Sequence, residues 1–494
     1  MRNKQLQGGE IIMNKLIKYA TSLAALTALS MGSAAADTTL KVNLGNFYMP
    51  DTNPELSAEA QMLADEYEKL HPDVKIELIP HIADADAFSA WLTTRFAAND
   101  APDITWQSGY KKIAEGTDNW APLNDYFSKP NPYVGSGGLG SEKWSDLFPA
   151  NVLNQTRGGD GNWFQVSTNW VETGFYVNQD IMSKQGLDVD SWKDWGDLLS
   201  ACRSLREVGV QPMGVFMTPG WSTYQWLDSI IATGSYADVI PSWYLEKYSN
   251  EYQPWRLLTQ EEMARAVHLG KYTTSGPRFD TYLGLVKGIA DDCLVEGFAG
   301  IPDYDAVYNM FYNEKVAMVW LGSWSAPSLK DLPFEVKATY MPAFGPEQSK
   351  YEVHNESYRV GGPSSSGQWG ITAQATDRGN LDQAVDFLRF LTAPVNYGRL
   401  AMLDTGFIPM VKGVETPDIS ANFQAVAQLP ERGFTDPIAR LTPKFGTAHN
   451  RLLQSFMLGE MSADDLKVKY QTAMDRAVED LCLENEGEWK WCSE

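Results

Sequence analysis

The chain has 494 residues, with 40 Lys and Arg against 63 Asp and Glu and a formal net charge of −23. An acidic surface of this size repels nucleic acid and anionic membrane, so neither is expected as a partner. The length suffices for large buried cores and fits two or three domains.

The N-terminus indicates the compartment. Lys15 and Lys18 precede an apolar run from Tyr19 to Met31, and small residues end at Ala34-Ala35-Ala36 before Asp37. This is the layout of a secretory signal with an A-x-A cleavage site, and the run is too short to span a bilayer. Cleavage is expected near Ala36-Asp37. No Cys lies nearby to carry a lipid anchor, so in a bacterium the product belongs in the periplasm. Four Cys allow three pairings; their positions favour Cys482 with Cys492 and Cys202 with Cys293. Such disulfides fit an oxidising compartment.

From Asp37 the pattern is strand, helix, strand. Leu40, Val42 and Leu44 alternate; Leu56, Ala60, Leu63, Tyr67 and Leu70 follow at helical spacing until Pro72; Val74, Ile76 and Leu78 alternate again. Two such strands joined by a helix predict a right-handed parallel βαβ unit. A helix around Phe88 to Ala98 leads to a strand at Pro102 to Trp106. The Pro- and Gly-rich stretch Ser128 to Ser145 is expected as a loop. Its formal G-x-G-x-x-G at Gly135, Gly137 and Gly140 lacks both the preceding strand and the following helix of a nucleotide site.

Short strands are predicted at Trp163 to Val166 and Gly174 to Asn178, bracketing Thr168 to Glu172. A capping-box-like start at Ser191 opens a helix whose stripe, Trp192, Trp195, Leu198, Cys202 and Leu205, faces a core. A strand from Met213 to Met217 runs into Thr218-Pro219-Gly220-Trp221. The part from Tyr236 to Asp280 reads as an irregular aromatic insertion. Phe311 ends a helix, an Asn313-Glu314-Lys315 turn follows, and the strand Val316 to Leu321 breaks at Gly322-Ser323-Trp324. Gly361 to Gly367 is expected to be a flexible loop entering a strand at Trp369. A helix over Leu381 to Leu391 and a helical C-terminus from Leu441 complete the chain.

Catalytic signatures are sparse. His71, His81, His268, His354 and His449 show no H-E-x-x-H spacing, and no G-x-S-x-G elbow or phosphate loop occurs. No metal site, cofactor or enzyme activity is expected. Tryptophans instead gather at predicted strand ends: Trp106, Trp170, Trp221, Trp324 and Trp369. In open α/β sheets ligands sit at the carboxyl ends of the strands. An indole face suits the C–H side of a sugar ring, and Asn46, Gln107, Asn169 and Glu172 lie beside these positions to take hydroxyls. Phe47 and Gly362 complete the candidate set. Unpaired amides would reject a ligand lacking the matching hydroxyls.

These residues resemble a family, the extracellular solute-binding proteins of carbohydrate ABC importers related to maltose-binding protein. Phe311 to Met318 followed by Gly322-Ser323-Trp324 is similar to its F-x-x-G-K-x-A-M…G-x-W signature, with Asn313-Glu314 in place of the turn Gly. Thr173 to Asn178, Gly186-Leu187 and Ser191-Trp192 resemble its T-G-x-x-Y-N…G-L…T-W stretch. Pro102-Asp103-Ile104, Gly361-Gly362…Trp369-Gly370-Ile371 and Ala384…Phe387-Leu388 match in order.

The resemblance implies a two-lobed α/β fold of the type II periplasmic-binding class, each lobe a mainly parallel sheet flanked by helices. It implies residues 37–168 and 322–430 in the N-terminal lobe, 169–321 and 431–494 in the C-terminal lobe, and crossings near Trp170, near Leu321 and around Thr416 to Thr435. A sugar or oligosaccharide would sit in the cleft of a monomer that closes and docks on permease subunits. By position, Trp324 resembles the stacking aromatic, Trp106-Gln107 the first-lobe contact, Trp221 the second-lobe contact and Asn169 to Glu172 the hinge contact. A glycerol phosphate or polyamine ligand, or a secreted carbohydrate-active enzyme with paired carboxylates, is the rival reading.

Overall fold

A computed structural model describes residues 38–82, 85–107, 119–156, 162–218, 222–248, 258–329, 332–353, 357–363, 366–404, 406–416 and 441–493. The expected signal region, Trp221, Tyr252 and Trp255 lie outside them. The described strands, in chain order, are β1 (Thr38–Asn43), β2 (Val74–Leu78), β3 (Ile104–Trp106), β4 (Gln165–Ser167), β5 (Asn169–Asn178), β6 (Met213–Gly214), β7 (Met318–Gly322), β8 (Val336–Thr339), β9 (Gly361–Pro363), β10 (Gln368–Ile371) and β11 (Ile408–Pro409).

The first sheet runs β2-β1-β3-β10-β4. Leu40 and Val42 alternate into its core, and β1 pairs in parallel with β2 and β3. The connecting helix Pro54–Leu70 starts where the Asn53 side chain accepts the Leu56 N–H and Pro54 presets the first turn. It buries Leu56, Leu63 and Tyr67 against Ile76, Ile104, Val166, Trp369, Phe387 and Leu391. The last two come from the helix Leu381–Thr392.

The second sheet is built on β5 and is mostly antiparallel, with only β6 and β7 of the described strands paired in parallel, which corrects the mainly parallel sheet expected there. Residues Thr173 to Val177 pair antiparallel with β7 on one side, and Phe175 to Asn178 pair with β8 on the other. Before that, Asn169 to Glu172 pairs with β9 and β11. The strand expected at Gly174 to Asn178 is thus the end of a longer one that begins at Asn169, because Asn169 to Glu172 has partners that lie far along the chain, whereas the short strand expected at Trp163 to Val166 is present as β4. Glu314 takes the left-handed turn expected of a Gly, with φ 54°, and releases β7.

The second core gathers Phe175, Trp195, Leu227, Trp320, Phe344, Leu453 and Tyr470. It includes the helices Pro443–Met457 and Ala463–Glu484. The insertion is not irregular throughout: Thr259 and Glu262 form a capping box that starts the helix Gln260–His268. Trp243 is buried and packs between Tyr236 and Tyr272. The helix expected to open at Ser191 starts instead at Trp195, where Asp194 accepts the Gly196 N–H at 2.7 Å.

The chain does not return to the first sheet at Leu321. β8 and β9 pair with β5, so Val336–Thr339 and Gly361–Pro363 belong with the second sheet, and the first sheet is next joined at Gln368. Gly361 to Pro363 is thus a strand, not a flexible loop. The third expected crossing, around Thr416 to Thr435, lies almost wholly outside the described residues.

Both disulfides take the pairing favoured by sequence position. Cys202–Cys293 spans 91 residues and Cys482–Cys492 spans 10. By loop length alone, replacing the first pair with Ser is expected to cost about 2 kcal/mol more than replacing the second. Urea unfolding of the two double-serine variants measures this, and equal losses would contradict it.

Candidate functional site

The lobes meet where β4 passes into β5, where β9 is followed by β10, and where the helix Pro394–Ala401 is followed by β11. Side chains lace these passages together. The Thr168 N–H and hydroxyl donate to the Gly367 carbonyl at 3.0 and 3.1 Å, and the Met410 N–H donates to the Thr168 carbonyl at 2.8 Å. The Asn169 amide donates to Asp404 Oδ2 at 3.2 Å and the Ser366 hydroxyl donates to the same oxygen at 2.6 Å. Burial pushes the Asp404 carboxyl up to about 7, against the opposing pull of those two hydrogen bonds.

Several candidates are buried against other side chains. Trp170 is fully buried, and its indole N–H donates to Glu172 Oε1 at 2.7 Å. Glu172 is fully buried too, 3.7 Å from the Arg359 guanidinium. Burial with Glu172 nearby drives the Tyr340 phenol far up. Trp369 is fully buried within the first core, its N–H donating to the Leu44 carbonyl at 3.1 Å. Neither indole offers a face to a ligand in this conformation, and the Glu172 carboxylate is equally enclosed. Their strands are covered on both sides, so the side chains beside the passages point into cores. Gly362 contributes backbone, pairing with Val171.

Trp324 is different. It is partly exposed and lies between Trp226, edge-on at 5.7 Å, and Tyr304, stacked at 6.2 Å. Gly322 and Gly406 make room for it: a Cβ on Gly322 would lie 2.1 Å from the indole, and one on Gly406 would lie 3.0 Å from the Trp324 Cα. The next residue, Phe407, packs edge-on against Phe47 at 4.8 Å. Phe47 and Asn46 form the short turn after β1, so contacts run from that turn through Phe407 and the adjacent Gly406 to Trp324. The Tyr304 hydroxyl is hydrogen-bonded to Ser325.

On the first lobe, Trp106 is mostly buried, edge-on to His81 at 5.1 Å and Phe88 at 5.3 Å. Burial pushes His81 down to about 4, so its ring is neutral near pH 7. Gln107, at the exit of β3, is buried with neither side-chain atom partnered among the described residues. Gln165 Oε1, Gln368 Nε2 and Asn169 Oδ1 share that condition.

Sequence reasoning missed Gln165, Gln368, Trp226, Tyr304 and Asp404. A Gln inside a strand on the side opposite Val166 or Trp369 was a usable signal. The partnership of Trp226 and Tyr304 with Trp324 is tertiary and had none.

The architecture is that of a two-lobed binding protein. The family described as bacterial extracellular solute-binding protein matches residues 62–431, and the chain belongs to it. Solved structures share the fold at low identity. Apo RafE from Streptococcus pneumoniae has a TM-score of 0.58 and 15% identity over 90% of this chain and 100% of its own. A chitin oligosaccharide binding protein has a TM-score of 0.60 and 19% identity over 89% and 99%. The bacterial solute receptor AcbH, described as exclusively preferring β-D-galactopyranose, has a TM-score of 0.62 and 14% identity over 92% and 99%. No curated protein sequence matches this one. Among the described residues no helix is long and apolar enough to cross a membrane.

Two predictions follow from these contacts. Gly322→Ala is expected to displace the Trp324 ring and lower stability by about 1–3 kcal/mol; an unchanged thermal midpoint would contradict the packing. An unfolded Asp titrates near about 4, so with a folded value of about 7 the contribution of Asp404 to stability is complete below about pH 4 and is lost as pH rises through about 7. Asp404→Asn should therefore flatten the decline in melting temperature across that window, and a variant that keeps the wild-type slope would rule Asp404 out as its source.

Proposed function

We propose that this protein is the substrate-binding component of a carbohydrate ABC importer, holding a sugar or oligosaccharide between its lobes and presenting the closed form to the permease. The observation that carries the reading is the pairing of a partly exposed aromatic wall, Trp324 with Trp226 and Tyr304, with the buried amides of Gln107, Gln165 and Gln368 in the other lobe's sheet, which have atoms without a partner among the described residues. Aromatic rings take the C–H face of a sugar and amides take its hydroxyls. RafE solved with raffinose, at a TM-score of 0.57, and the chitin oligosaccharide binding protein support the ligand class. On this reading the signal is cleaved near Ala36-Asp37, the mature monomer works in the periplasm, and the chain does no covalent chemistry. The first lobe then comprises residues 38–167 and 368–404, and the second 169–363 and 441–493.

Ligand stabilises the closed state by its higher affinity for that state, which is what the permease reads. A thermal-shift screen of residues 37–494 against galactose, raffinose, chitin oligosaccharides, amino acids, polyamines and sugar phosphates tests the reading. A ligand at about a thousand times its Kd adds roughly 4 kcal/mol. A rise with one neutral sugar class, and a tenfold or greater loss of its affinity in Trp324→Ala, is the expected result. A rise only with charged compounds would overturn the sugar assignment, and a sugar recovered cleaved would replace binding by catalysis.

A further inference from the structure

Three neighbouring strands of the first sheet place glutamines on one face. In β10, Gly370 is in register with Gln165 of β4, and Gln368 with Ser167. Directly opposed residues share a face of the sheet. The Gln107 N–H donates to the Gln368 carbonyl at 3.1 Å, and a Cβ on Gly370 would meet Gln107 Oε1 at 3.0 Å, so Gln107 lies over the same patch. Val166 and Trp369, on the alternate positions, enter the core on the opposite side. Gln107 follows the carboxyl end of β3, Gln368 opens β10 beside it, and Gln165 opens the short strand β4 that leads to β5.

Within this row Gln165 Nε2 donates to the Ser167 hydroxyl at 3.1 Å. Gln107 Oε1, Gln107 Nε2, Gln165 Oε1 and Gln368 Nε2 have no partner among the described residues, although Gln107, Gln165 and Gln368 are only 2%, 1% and 2% exposed. Unpaired amides at such depth oppose folding, and native proteins pair nearly all of them.

We propose that the Gln107–Gln368–Gln165 row is a subsite that reads the vicinal hydroxyls of an uncharged sugar residue and rejects acidic, phosphorylated and amino sugars. The inference rests on the sugar-binding reading and names the chemistry of its first-lobe half. An amide offers a donor beside an acceptor, and a hydroxyl is both, so a vicinal diol satisfies the row in either amide orientation. A carboxylate or phosphate brings acceptors alone, and an ammonium brings donors alone. Either would leave part of the row unpaired and bury a charge, because no Lys, Arg, Asp or Glu belongs to it.

The test uses Gln165→Met and Gln368→Met, near in size and without the amide. In the absence of sugar Gln368→Met is expected to melt above the wild type, since it removes an unpaired polar group, and Gln165→Met, which also gives up the bond to Ser167, is expected to melt no lower than the wild type. Each should also bind the neutral sugar selected by the screen about ten- to a hundredfold more weakly. Wild-type protein should bind that sugar's deoxy analogue less well by a similar factor and its uronic acid analogue not at all. Variants that melt lower than the wild type, or that bind the neutral sugar as tightly, would overturn the row as a subsite. Equal binding of the uronic acid would overturn its charge selectivity. Failure of the sugar reading itself looks different: no neutral carbohydrate in the screen would move the wild-type midpoint.

Discussion

The Glu172 carboxylate, fully buried in β5, is the constraint on which the joint between the lobes depends. Removing an ion from water costs several kcal/mol, and the partners a buried carboxylate needs lie against it: the Arg359 guanidinium at 3.7 Å and the Trp170 N–H at 2.7 Å. Arg359 immediately precedes the segment that feeds β9, where the Thr173 N–H and hydroxyl bond the Val360 carbonyl and Gly361 pairs with Glu172. A side chain at Gly361 would strike the Val171 carbonyl at 2.4 Å and the Glu172 carboxylate at 2.7 Å. Loss of one member of a buried pair leaves the other uncompensated, at about 3–5 kcal/mol. The start of β5 is thereby pinned beside the passages between the two sheets.

Pinning on one side and lacing on the other suit a hinge. Asp404 ties Asn169, at the start of β5, to Ser366, on the way into β10, so two passages share one carboxylate. Phe47 and Phe407 then link the first lobe to the ground on which Trp324 stands. Hinge closure around a ligand needs a few segment-terminal residues to absorb the change while packed cores move as units. The two separate cores and the short passages between them have that form.

Much of this was open to inspection in the chain alone. Alternation in Leu40 to Leu44, the Pro72 stop and the break after Leu321 are local signals of backbone chemistry, and each produced its element. The disulfide partners followed from position and compartment. Reading failed where the partner was remote. β9 is Gly361-Gly362-Pro363, a loop by composition, and only pairing with Val171 and its neighbours makes it a strand. That same pairing moved the return to the first lobe from Leu321 to beyond Pro363.

The candidate site divides along the same line. Sequence by itself determined that aromatic and amide groups would stand at strand ends, because strand length and Gly breaks are local, and it pointed to Trp324 and Gln107. Tertiary structure decided which indoles keep an open edge: Trp324 does because Gly322 and Gly406 leave it room, whereas Trp170 and Trp369 are sealed by strands covered on both faces. It also decided that Gln107, Gln165 and Gln368 form one row, since β10 inserts between β3 and β4 from about two hundred residues away. Burial and register are properties of such non-local contacts, which no stretch of the chain carries alone.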